Sequence, residues 1–173
     1  GCSGSWWIKN RIGLCHGVER LMDDIFLPAR KGLGQNFLHD QRVIENIVAG
    51  LNPKIGDTVV EIGPGRGALT KLLLERECDL HLIEFDRDLA LYWRDKAASV
   101  ANLTLHEIDV LKFDFNDFLG ISPIRVIGNL PYNISSPVLF RLLQAKKRIT
   151  DMVLMFQKEV VDRMVAQPGT KQF

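Results

Sequence analysis

Residues 58–70, TVVEIGPGRGALT, decide the fold. Thr58 to Ile62 is a short, nearly continuous apolar run, the composition of a parallel strand buried on both faces. Gly63, Gly65 and Gly67 follow, and then Leu69, Leu72 and Leu73 recur at helical spacing. Glycine lets the backbone turn sharply and approach a ligand closely, here at a helix N-terminus whose amides point outward. A strand, a glycine turn and a helix in this order open a doubly wound α/β sheet. Such sheets bind ligands at the carboxyl ends of their strands.

The pattern continues on both sides. From about Asp40, the residues Val43, Ile44, Ile47, Val48 and Leu51 form a helical stripe that Asn52-Pro53 stops. Leu80 to Phe85 reads as a second strand, and Asp86 to Ala98 as a helix carrying Leu89, Tyr92 and Trp93. Leu103 to Ile108 is a third strand and Ile124 to Ile127 a fourth. Ser136-Pro137 opens a helix with Val138, Leu139, Leu142 and Leu143. Met152 to Phe156 is a fifth strand and Lys158 to Ala166 a last helix. The alternation predicts a Rossmann-like α/β domain with a mostly parallel sheet over residues 29–173. Residues 1–28 differ: they are rich in Gly and Ser, hold Trp6-Trp7 and begin without Met. Val18, Leu21, Met22, Ile25 and Phe26 keep helical spacing, so this leader is either a short amphipathic helix or a foreign segment.

With 46% hydrophobic and 25% charged residues, the 173-residue chain has an ordinary globular composition. No run approaches the roughly 18 apolar residues of a membrane-spanning helix, and no secretory leader is visible. Cys2, Cys15 and Cys78 are odd in number and lack metal-ligand spacing, which predicts free thiols in a reducing, cytoplasmic setting. A net charge of +1 gives no global attraction to nucleic acid, although Arg30-Lys31 and Lys146-Lys147-Arg148 are local basic clusters.

The glycine turn is a cofactor loop of ambiguous type. Glu84 ends the second strand about 20 residues after it, where an acid can hold ribose hydroxyls. Gly63, Gly65 and Ala68 also satisfy the G-x-G-x-x-G/A dinucleotide pattern, so a nicotinamide oxidoreductase is a rival. Two features favour S-adenosylmethionine. Asp109 closes the third strand, where a carboxylate can bond an adenine amine. The fourth strand then delivers Asn129-Leu130-Pro131-Tyr132.

That tetrapeptide suits methyl transfer to an exocyclic amine. The N6 lone pair of adenine is delocalised into its ring, which makes the nitrogen a poor nucleophile. Acceptors for both amino hydrogens favour the pyramidal geometry that attack needs. The side-chain oxygen of Asn129 can be one acceptor and the backbone carbonyl of Leu130 the other. Pro131 restricts the backbone of its predecessor. Tyr132 offers a flat face for an extruded base. His16, His39, His81 and His106 are given no role, and Arg66 and Lys158 read as solvated surface before phosphate contacts.

Several motifs in order carry a resemblance: Gly34-Gln35-Asn36-Phe37-Leu38 with Asp40, EIGPGRGALT (61–70), IEFDRDLA (83–90), GNLPYNISSPVLF (128–140) and FQKEVVDRMVA (156–166). From about Arg30 onward the chain resembles the small-subunit ribosomal RNA adenine N6,N6-dimethyltransferases. These enzymes place two methyl groups on each of two adjacent adenosines near the 3′ end of that RNA. The resemblance implies S-adenosyl-L-methionine as cofactor, and the RNA of the immature small ribosomal subunit as partner. By position, Asn36 and Leu38 would close over the methionine end of the cofactor, and Gly63 and Gly65 would line its loop. Glu84 would hold the ribose, Asp109 the adenine ring, and Asn129 the target N6 beside the cofactor. Pro131 and Leu130 would shape that tip, with Tyr132 stacked on the base. The macrolide-resistance methylases of large-subunit RNA share the layout, but usually read Asn-Ile-Pro-Tyr at this tip.

The chain departs from the pattern in two places. Gly32 and Leu33 stand where the family usually has a second Arg and an aromatic, which predicts weaker RNA contacts. Family members also continue past the position of Phe173 with further strands and a helical domain. The resemblance therefore implies a sheet short of its last strands and an exposed apolar edge. A non-catalytic cofactor- or ribosome-binding piece is the alternative to an active enzyme.

Overall fold

Asp40 marks the start of the first described helix: its carboxylate accepts the amides of Arg42 and Val43, capping α1 (Gln41–Leu51). The helix ends where Asn52 turns left-handed at φ 49° and returns its amide to the Val48 carbonyl. The computed structural model describes residues 38–118, 123–156, 158 and 161. The leader at 1–28, the basic pair at 30–31, the 34–37 segment with Asn36, and most of the helix expected over 158–166 lie outside the described residues.

After α1 come β1 (Thr58–Ile62), α2 (Ala68–Leu74), β2 (Asp79–Glu84), α3 (Arg87–Ala97) and β3 (Leu103–Glu107). A short 3₁₀ turn (Phe115–Phe118) leads to β4 (Ile124–Asn129), α4 (Ser135–Gln144) and β5 (Ile149–Met155). The sheet has the order β3-β2-β1-β4-β5, and every described pairing is parallel. The fold is thus the expected doubly wound α/β class. The chain winds outward from β1 through β2 to β3, then crosses to the other side of β1 for β4. That reversal puts the switch point of the sheet between β1 and β4.

Burial of β1 on both faces explains its nearly continuous apolar run. Val59 packs with Ile44, Val48, Leu51, Leu69, Leu73 and Trp93 on one face. Val60 packs with Ile83, Val126, Val138 and Leu142 on the other. Both valines are fully buried, and each such side chain stabilises the fold by about 1.5–3 kcal/mol.

Strand ends differ from the sequence reading for local reasons. Phe85 is not in β2: the Glu84 carboxylate accepts the amides of Phe85 and Asp86, bending the chain there and leaving Phe85 exposed. β4 extends two residues beyond Ile127, through Gly128 and Asn129, because the ladder with β5 continues to Met155. β5 starts three residues early, at Ile149 opposite Ile124. Among the described residues β5 pairs only with β4, and Met152, Val153 and Leu154 are half-buried.

Candidate active site at the strand tips

Four parallel strands end side by side: β1 in a glycine loop, β2 and β3 beside carboxyl groups, and β4 in an amide. At β1, Gly63 leaves the strand at φ +66° and donates its amide to the Ile83 carbonyl at 2.9 Å. It is exposed, and a Cβ placed there would meet nothing within 4 Å, so open space lies above it. Gly65 is held at both of its polar groups. Its amide donates to Oε2 of Glu84 at 3.3 Å, and its carbonyl accepts from Nε1 of Trp93 at 3.0 Å. Gly67 caps α2 without a side chain.

Beneath this loop, Glu61 is fully buried in β1, and its Oε2 accepts the Thr70 hydroxyl at 2.7 Å. Burial pushes the Glu61 carboxyl up to about 8, so it is a neutral acid under ordinary conditions; bonds from the Thr70 hydroxyl and amide oppose the shift. A strand residue thereby serves the first turn of α2 in place of a local cap.

At the β2 tip, Oε1 of Glu84 accepts the amides of Phe85 and Asp86, each at 2.9 Å. Burial raises its pKa, against the pull of these amides and that of Gly65. Asp86 then caps α3 through the amides of Asp88 and Leu89. Asp109 lies two residues past β3. Its Oδ1 accepts the Leu111 amide at 2.9 Å, and its carbonyl accepts from Lys112 and Phe113. It is half-buried.

The β4 tip lies beside the glycine loop. Gly128 pairs with Ile62, so Asn129 follows where Gly63 leaves β1. A Cβ on Gly128 would come within 2.9 Å of the Ile62 carbonyl oxygen, which explains glycine there. Leu130 is buried and donates its amide to the Met155 carbonyl at 3.2 Å. The Pro131 carbonyl is engaged by the Ser135 hydroxyl at 2.8 Å and the Ile134 amide at 3.2 Å. Among the described residues none donates to the Leu130 carbonyl, the acceptor that the sequence argument selects. Tyr132 is 44% exposed at the first position of the turn, with its ring accessible.

The described residues named from the sequence, Gly63, Gly65, Glu84, Asp109, Asn129, Leu130, Pro131 and Tyr132, therefore share the carboxyl-terminal edge of the sheet. Leu38 is half-buried against the core that includes Ile44 and Leu69. Arg66 is half-buried, with its Nε shielded from solvent, and is no simple surface cation. Sequence reasoning gave Glu61, Thr70 and Trp93 no part at the loop. An acid inside an otherwise apolar strand was the available signal for Glu61. The reach of Trp93 over 28 residues left none. Among the described residues no group of His, Cys, Asp or Glu is arranged to hold a metal ion.

A glycine loop at the central strand, acids following its two neighbours on one side and an amide at the switch point define a Rossmann-like domain of the methyltransferase class. A dimethyladenosine transferase from Plasmodium falciparum superposes with a TM-score of 0.66 at 30% identity, covering 80% of this chain and 49% of that one. The 23S rRNA methyltransferase ErmE gives 0.60 at 28% identity, over 74% of this chain and 50% of that one. The family model for ribosomal RNA adenine dimethylase matches residues 27–173. The chain belongs to that family. The ribosomal RNA small subunit methyltransferase A of Acinetobacter baylyi is 55% identical over 147 residues, 84% of this chain and 53% of that protein. The chain thus spans about half the length of the curated relatives it matches.

Proposed function

We propose that this chain is the cofactor-binding and catalytic part of an S-adenosylmethionine-dependent ribosomal RNA adenine N6-dimethyltransferase. In this reading residues 29–173 form the methyltransferase domain and 1–28 a separate leader. The substrate is adjacent adenosines of small-subunit RNA within the immature subunit, and the setting is the cytoplasm. The observation that supports it most is the adjacency of Asn129 and Gly63 at the β1/β4 switch point, with the Leu130 carbonyl accepting no described bond.

The tips fit the cofactor chemically. A carboxylate has about four lone-pair positions. Three described amides occupy three of those on Glu84, the 3.3 Å bond from Gly65 being the longest, so one position remains for a ribose hydroxyl. Asp109 supplies a further, half-exposed acceptor for an adenine amine. The start of α2 suits a dinucleotide less well: Glu61 already engages Thr70 there, where a pyrophosphate would need free amides.

S-adenosylmethionine, when bound, supplies an electrophilic sulfonium methyl. The chain's own work is then to hold the nucleophile. Asn129 Oδ1 and the Leu130 carbonyl accept the two N6 hydrogens, Pro131 fixes the direction of that carbonyl, and Tyr132 stacks on the base. No general base is needed, because the N6 proton becomes acidic only as the new bond forms and then passes to water. Alignment of reacting atoms supplies most of the rate, with effective molarities that reach roughly 10⁵–10⁸ M.

Two measurements test this. Calorimetry should detect S-adenosylmethionine binding and no NAD binding; the reverse would return the site to the oxidoreductases. Incubation with tritiated cofactor and immature small subunits should label RNA adenines. Cofactor binding without labelling would favour the non-catalytic alternative for this length of chain.

A further inference from the structure

We propose that Trp93 is a positioning residue for the cofactor loop, fixing the Gly65 peptide through its indole N–H. The inference rests on the reading of that loop as the S-adenosylmethionine site. Gly63, Gly65 and Gly67 all adopt positive φ, at 66°, 54° and 85°. Glycines with this freedom lose the most conformational entropy on ordering, so an unsupported loop of this kind samples many shapes. A cofactor that has to select one of them binds more weakly.

Here the selection is made in advance. The Gly65 amide is held by Glu84 from β2, and its carbonyl by Trp93 from α3. Trp93 is completely buried, so the carbonyl it engages is turned toward the core and not the crevice. The Gly65–Arg66 peptide plane cannot flip without leaving an indole N–H buried and unpaired. A core tryptophan needs an acceptor in any case. What marks this one is the acceptor: a carbonyl of the cofactor loop, reached from an element that follows the next strand.

The cleanest test replaces Trp93 with β-(3-benzothienyl)alanine, an isostere in which sulfur stands for the N–H. Trp93→Phe serves as the genetic counterpart. The isostere should weaken S-adenosylmethionine binding about two- to twelvefold, the span of one net hydrogen bond, and should lower the melting temperature of the cofactor-free protein by about 2–4 °C, because the same bond is made there. Amide exchange at residues 65–67 in the free protein should rise by a similar factor. Unchanged affinity, or a melting temperature that falls while affinity holds, overturns the proposal and leaves Trp93 as packing alone. Absence of binding by the wild-type chain would instead sink the cofactor reading. The exchange rates would then still decide whether the indole pins the loop: equal rates in both proteins overturn that as well.

Discussion

Asn129 is at once the last rung of β4 and the first residue of the proposed site. Its backbone is fixed by the β4/β5 ladder opposite Met155, and Leu130 continues with an amide bond to the same Met155 carbonyl. Truncating its side chain therefore removes an acceptor without freeing the chain around it. Asn129→Ala should leave S-adenosylmethionine affinity only slightly weaker. Turnover on RNA should fall by roughly 10²–10³-fold, the usual cost of losing one hydrogen-bonding partner aimed at the reacting centre. Methyl transfer by the variant at the wild-type rate would remove Asn129 from the reaction.

At the scale of elements, one side chain ties the opposite end of the sheet together. Arg125, near the start of β4, donates to Asp151 on β5 and Asp57 before β1, and to the Leu51 and Asn52 carbonyls at the end of α1. Its side chain is only 17% exposed, which makes these bonds stronger than surface ion pairs, although both aspartates face solvent in part. Arg125→Ala should cost about 2–3 kcal/mol in urea denaturation, and Arg125→Lys about half as much, since an ammonium cannot reproduce the planar fork. A loss below about 0.5 kcal/mol would mean that the clamp contributes nothing net. The sequence announced the strands this clamp joins, but not the clamp. A short apolar run and glycine punctuation are local signals, and they placed Thr58 to Ile62 to the residue. The partners of Arg125 lie up to 74 residues away and leave no local trace. The same holds for the site: Gly63, Glu84 and Asn129 were legible because each ends or follows an apolar run. Trp93 was read only as part of a helical stripe, because its bond crosses from α3 to the loop.

The whole molecule inherits a pH profile from the acids folded into its centre. Glu61 has an ordinary value of 4.5 and a folded value of about 8, raised first by burial. Between those values the unfolded chain has released the proton that the folded chain keeps, so stability falls as pH rises. The contribution of Glu61 is thus complete below about pH 4.5 and lost as pH passes through the folded value. Glu84, also raised by burial, acts in the same direction. Asp57 acts oppositely: the Lys54 amide first and Arg125 second hold its carboxyl below 3.8, so its contribution is present above that value and lost in acid. Glu61 and Glu84 thus favour the acidic side of neutrality, and Asp57 opposes them only in stronger acid. Glu61→Gln keeps an acceptor for Thr70 and removes the titration. Compared with wild type it should gain stability at about pH 8.5 and gain little or nothing at about pH 5, in denaturant unfolding at both. Unfolding curves for the two proteins that shift in parallel across that range would show that Glu61 shares its proton with solvent, contrary to its place under the glycine loop.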